Sequence, residues 1–129
     1  MNENAIAKEI VDAAYKIHTT IGPGLLESVY EVTLAYEIKK RGLQATRQLP
    51  VSLKYEGVSF EEGYRLDLVV ENKVIVEVKS VDAIQPIHKK QVLTYLRLMD
   101  KRLAAYSSIS TRSSFATESR ASSTAWMSS

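Results

Sequence analysis

The stretch Arg65–Ser80, RLDLVVENKVIVEVKS, decides how this chain is read. Two aliphatic runs flank a short polar turn at Glu71 and Asn72, the pattern of a β-hairpin. Asp67, Glu77 and Lys79 interrupt those runs where a buried sheet would hold valine. Glu77 and Lys79 are two apart on a strand and so share a face. Asp67 and Glu77 lie symmetrically about Asn72. A strict two-residue loop at Glu71 and Asn72 would pair Leu66 with Glu77 and turn Asp67 to the opposite face. The two acids share a face only if the loop is odd-numbered and centred on Asn72, or if a bulge intervenes.

Carboxylates converging at a strand end can hold a divalent cation through oxygen, with positions left for water and a phosphate. A lysine beside them can orient or deprotonate the attacking water and offset developing charge. The trio therefore suits phosphodiester hydrolysis. Its plainer reading is a set of ordinary charges at fraying strand ends, or a glutamate and lysine paired on a solvated face.

Outward from the hairpin, the apolar period changes. Ile6, Ile10, Ala13, Ala14 and Ile17 recur at helical spacing over Ala5–Thr20, with Asn4 as the expected N-cap. IGPG at 21–24 breaks this helix, and Leu26, Val29, Tyr30, Thr33, Leu34 and Ile38 set out a second one, stopped by Gly42. Three strands are predicted near residues 46–54, 58–70 and 73–80. Val74, Val76 and Val78 alternate with Ile75, so both faces of the last strand are expected to be covered. Val92, Leu93, Tyr95, Leu96 and Met99 return to helical spacing over 87–99.

The composition fits one domain with a single core. Without cysteine there is no disulfide framework and no zinc-thiolate site, so any metal must be held by oxygen or nitrogen. No basic, apolar leader and no run of about 20 apolar residues is present, which implies a soluble, cytoplasmic protein with no membrane partner. A net charge of +2 is compatible with nucleic acid without requiring it. Lys39, Lys40, Arg41, Lys89 and Lys90 form short basic runs that meet phosphates only if the fold gathers them near the acids.

GLLESVY at Gly24–Tyr30, the D and ExK elements at Asp67, Glu77 and Lys79, and QVLTYL at Gln91–Leu96 stand in the order of a known family. The chain resembles the GxxExxY proteins of the PD-(D/E)XK nuclease superfamily over residues 5 to 103, with Leu66 where the superfamily often has proline. The resemblance implies a restriction-endonuclease-like α/β core, helices packed on a central mixed β-sheet, in the order α-α-β-β-β-α with the last strand weak or altered. It implies Glu27, Asp67 and Glu77 as ligands of Mg²⁺ or Mn²⁺, Lys79 as the catalytic lysine, and Gln91 and Tyr95 as substrate- or water-positioning residues. The implied partner is nucleic acid, and the oligomeric state stays open, a homodimer included. A catalytically inactive member that binds nucleic acid or a protein is the alternative. Glu27 also suits a first-turn acid favoured by the helix dipole, and Tyr30 and Tyr95 suit core aromatics. His88, after a proline at a helix start, reads as a surface or capping residue.

Residues 1–103 form the nuclease-like domain in this reading, and 104–129 a separate tail. The tail holds ten serines in 26 residues against four in the preceding 103 and has no apolar period, so it is expected to be disordered or poorly packed. Serine codons of the TCN type, read in the frame that places their first two bases last, encode only Phe, Leu, Ile or Val. With synonymous codons chosen freely, the tail can spell LLINFNTLLLRDGIKRIVNGLDV, which contains the buried-strand run LLINF and an end, RDGIKRIV, that resembles GxxExxY proteins. The expectation is a frameshift near Ala104.

Overall fold

The computed structural model describes residues 2–22, 24–80, 86–87, 105–110 and 117–120. Two helices, α1 (Glu3–Thr20) and α2 (Glu27–Lys40), precede the strands β1 (Ala45–Tyr55), β2 (Val58–Val70) and β3 (Val74–Lys79). β4 (Ala105–Ser110) and β5 (Thr117–Arg120) complete a sheet of order β1-β2-β3-β4-β5. Neighbours are antiparallel except β3 and β4, which are parallel, so the sheet is mixed.

α1 buries Ile6, Ile10, Ala13, Ala14 and Ile17, the stripe its spacing dictates. Its cap is Asn2 and not Asn4: Asn2 Oδ1 accepts the Ala5 N–H at 2.9 Å, which places Asn4 within the first turn. α2 buries Tyr30, Leu34 and Ile38 at successive i+4 positions. It ends as its sequence demands, with Gly42 at φ +86° and two hydrogen bonds, Gly42 N–H to Lys39 O and Leu43 N–H to Ile38 O. Lys16 and Arg41 tie the helices together through Glu37 and Glu9.

The helices pack on Leu68, Val70, Val74, Val76 and Val78, which share one sheet face. Val69, Ile75 and Glu77 alternate with them and are equally buried. Both faces of the β2–β3 centre are thus covered, as the aliphatic runs imply.

Two turns set the registers. Glu56 and Gly57, both at positive φ, close a two-residue loop between paired Tyr55 and Val58. Glu71, Asn72 and Lys73 close a three-residue loop between paired Val70 and Val74. That loop is odd and centred on Asn72, the arrangement the acids require.

The helix expected over 87–99 lies outside the described residues, apart from Pro86 and Ile87, which are helical. β4 and β5 fall in the serine-rich tail, where the composition suggested disorder. The backbone of 105–110 and 117–120 is instead in ladders. A parallel or antiparallel ladder is made by main-chain groups that every non-proline residue carries, so a strand can form where the side-chain pattern signals none.

Candidate metal and phosphate site

The β2–β3 ladder runs from Val70 and Val74 to Leu68 and Val76 and ends one residue short of Asp67 and Glu77, whose side chains lie close enough to interact. There side chains replace ladder carbonyls. Asp67 Oδ2 accepts the Val78 N–H at 2.8 Å, and Glu27 Oε2, from the first turn of α2, accepts the Ser80 N–H at 2.6 Å. Two acids far apart in sequence thereby satisfy alternate amides at the end of one strand. The Glu27 bond also docks the start of α2, where Leu26 supplies no side-chain cap.

Glu77 is 2% exposed, and its Oε1 has no hydrogen-bond partner. The Tyr64 hydroxyl donates to Oε2 at a long 3.5 Å. Burial, with the nearby Asp67 charge adding to it, pushes the Glu77 carboxyl up to about 9, while Lys79 pulls the other way. A buried carboxyl with an orphaned oxygen beside a second carboxyl has a chemical deficit, which it can meet by holding a proton or by meeting a cation. The Asp67–Glu77 pair therefore fits an oxygen-bound divalent ion.

Glu27 does not join them closely. Among the described residues, no group of three or more His, Cys, Asp or Glu side chains is gathered tightly enough to hold a metal ion. Of the set expected at Glu27, Asp67 and Glu77, the structure brings Asp67 near Glu77, while Glu27 turns an oxygen to the Ser80 amide just beyond β3. Lys79 is half-buried at the end of β3, two residues beyond Glu77. Gln91 and Tyr95 lie outside the described residues. Tyr30 is a core aromatic: it is 1% exposed, and burial pushes its hydroxyl well above the usual tyrosine range.

Glu27 and Asp67 line a cleft of about 380 Å³ whose walls also include Glu31, Arg47 and Gln48. Reading the sequence missed these three. Glu31 carried a usable signal, since it sits four residues after Glu27 on the same helical face. Arg47 and Gln48 carried none, because their place beside the acids depends on the β1–β2 register.

A family model described as PD-(D/E)XK nuclease superfamily matches residues 4–111. Comparison with curated proteins and with solved structures returns no match.

Proposed function

The chain belongs to the PD-(D/E)XK nuclease superfamily, and on that premise we propose that it is a Mg²⁺- or Mn²⁺-dependent nuclease of the GxxExxY kind, hydrolysing phosphodiester bonds of nucleic acid. The observation that carries this reading is the buried Glu77 carboxyl, with an unpartnered oxygen, set against Asp67 and two residues from Lys79. Asp67 and Glu77 would hold the ion, with Glu27 supplementing them from the cleft wall. A bound divalent cation supplies charge neutralisation at the phosphate and a more acidic water. Lys79 orients that water and offsets charge, and Gln91 and Tyr95 position substrate.

The test is a Mn²⁺ titration followed by a cleavage panel of single- and double-stranded DNA and RNA. Saturable binding is expected in the wild type, weakened at least tenfold by Asp67→Asn and by Glu77→Gln. Lys79→Ala is expected to abolish cleavage while leaving Mn²⁺ binding nearly intact. Equal Mn²⁺ binding by wild type and both acid variants would sink the metal site.

One observation favours a second reading, a nucleic-acid or protein binding module without hydrolysis. Asp67 and Glu27 cap β3 amides, a structural use for acids that needs no ion. Under that reading the whole panel stays uncut while Asp67→Asn and Glu27→Gln lower stability.

A further inference from the structure

The cleft wall opposite the hairpin acids contains a buried carboxylate that the proposed hydrolysis does not use. Glu31 is 4% exposed, and a carboxylate is buried without large cost only when it is fully answered. Here Arg47 Nη2 lies 2.8 Å and Nε 3.0 Å from Glu31 Oε2, and Gln48 Nε2 donates to Oε1 at 2.7 Å. Both carboxylate oxygens are thus spent on two consecutive β1 side chains. Glu31 fixes where those side chains lie, and both line the cleft.

The backbone marks the same spot. β1 and β2 pair at Arg47–Leu68 and at Leu49–Leu66, and the rung left out between them is Gln48 opposite Asp67. Gln48 has φ +53°, a left-handed conformation that non-glycine residues seldom adopt. Such local strain persists where the surroundings hold it, and it clusters at ligand-binding positions. The irregularity faces the acid that lines the same cleft.

The donors left on Arg47 and Gln48 give the ligand class. Of the described residues lining the cleft, Glu27, Glu31 and Asp67 are acids and Arg47 is the cation. An anionic substrate approaching the acids meets that guanidinium. Glu31 engages Nε and Nη2, and the Arg47 side chain keeps 39% of its surface exposed, so part of the planar donor fork remains available. A side-chain amide beside a guanidinium is a donor pair suited to a tetrahedral oxyanion.

We infer that Arg47 and Gln48, held in place by Glu31, form a phosphate-binding wall of the cleft, and, resting on the nuclease reading above, that they grip a phosphate of the nucleic-acid strand beside Asp67. Glu31 is a positioning residue, and Arg47 and Gln48 are the groups that touch the ligand.

Two probes separate this inference from the nuclease reading. Inorganic phosphate, titrated at constant ionic strength into full-length protein, is expected to shift the Arg47 Nε–H and Gln48 side-chain amide NMR signals saturably. Labelled single- and double-stranded oligonucleotides, bound to the Glu77→Gln protein so that they stay uncut, report affinity against salt. Arg47→Ala is expected to weaken binding roughly tenfold or more and to lower the slope of log K against log salt by about one. Arg47→Lys is expected to restore the slope and only part of the affinity, because it keeps the charge and loses the fork.

Arg47→Ala strands the Glu31 charge and can unfold the protein. The double variant Glu31→Gln/Arg47→Ala removes that charge and is expected to show the same loss of slope. Oligonucleotides bound with an unchanged slope in the folded double variant overturn the inference and leave the nuclease reading standing. Phosphate perturbing Arg47 while no oligonucleotide binds supports the phosphate wall and overturns its grip on a nucleic-acid strand. Silence of Arg47 and Gln48 to both probes overturns the wall.

Discussion

β3 and β4 lie side by side and parallel, matched rung for rung from Val74 and Ala105 to Lys79 and Ser110. Their backbones do the same work, and their sequences differ sharply. β3 reads VIVEVK and is buried at every position except Lys79. β4 reads AYSSIS, with serine opposite Val76, Glu77 and Lys79. Main-chain pairing is enough to place a strand at the middle of a sheet, whereas the apolar side chains that make such a place stable are present in one strand and scarce in the other. One central strand also carries the charged group that the core tolerates least, Glu77.

The largest expected effect comes from making β4 resemble β3. If the codons from about Ala104 onward are read out of frame, as we propose, the first five residues of the alternative reading, LLINF, fall on Tyr106–Ser110, which β4 includes. Each large apolar side chain gained in a core is worth roughly 2–5 kcal/mol when the site packs well. A frame-corrected gene should then yield a protein that melts higher by about 10 °C or more and resists proteolysis at its C-terminus. Sequencing checks the premise directly. The proposal fails if no change of one or two nucleotides near the Ala104 codon opens a frame that encodes an apolar strand.

The next effect belongs to β3 alone. The Glu77 carboxyl, ordinarily at 4.5, is pushed up to about 9 by burial and by Asp67. The folded state therefore keeps a proton that the unfolded chain releases above the ordinary value. The contribution of Glu77 to the stability of the metal-free protein is greatest below that value and is lost as pH rises through the window toward about 9. Near neutral pH the loss is on the order of 3 kcal/mol, and Glu77→Gln should recover most of it. Urea unfolding in a chelator at acidic, neutral and mildly alkaline pH measures this. Wild-type and Glu77→Gln midpoints that run parallel across the range would show that Glu77 does not titrate in the window.

The contrast between the strands also explains what could be read in advance. α1 and α2 show as helical stripes because each buries one face, and β2 and β3 show as aliphatic runs because both their faces are buried; the observed bounds of α1, α2 and β1–β3 fall within a few residues of the expected ones. For Asp67 and Glu77 to share a face, either an odd loop centred on Asn72 or a bulge was needed, since side-chain direction alternates strictly along a strand, and the structure has the odd loop. β4 was foreseen only as the weak or altered last strand that the resemblance implies, and β5 not at all, because a serine-rich strand looks like a polar linker until a neighbour supplies its ladder. The cap fell on Asn2 and not Asn4 because the helical stripe cannot say which of two nearby asparagines accepts the first free amide. At the site, Asp67 and Glu77 announce themselves as charges in aliphatic runs. Arg47 and Gln48 are polar residues in a partly exposed strand, and only the β1–β2 register, with its skipped rung opposite Asp67, shows that they lie beside that acid.

The smallest expected effect concerns the turn that delivers the chain into β3. Glu71 has φ +53° and Asn72 φ +54°, so two L-residues occupy the left-handed region in succession. Asn tolerates that conformation, and Glu does so less readily. Glu71 remains because it is bonded twice to the segment leading into β1. Its N–H donates to Gln44 O at 3.0 Å, and its Oε2 accepts the Gln44 N–H at 2.7 Å. Glu71→Ala keeps the unfavourable φ and loses the side-chain bond, so it should cost about 1 kcal/mol. Glu71→Gly loses the same bond and relieves the φ, at some entropic cost in the unfolded chain, and should be more stable than Glu71→Ala by roughly 0.5–1 kcal/mol. The difference between the two variants in urea unfolding isolates the backbone strain from the hydrogen bond. If Ala and Gly prove equally stable, the turn carries no strain at Glu71, and the register that sets Asp67 against Glu77 is held by the ladder from Val70 and Val74 onward rather than by the loop.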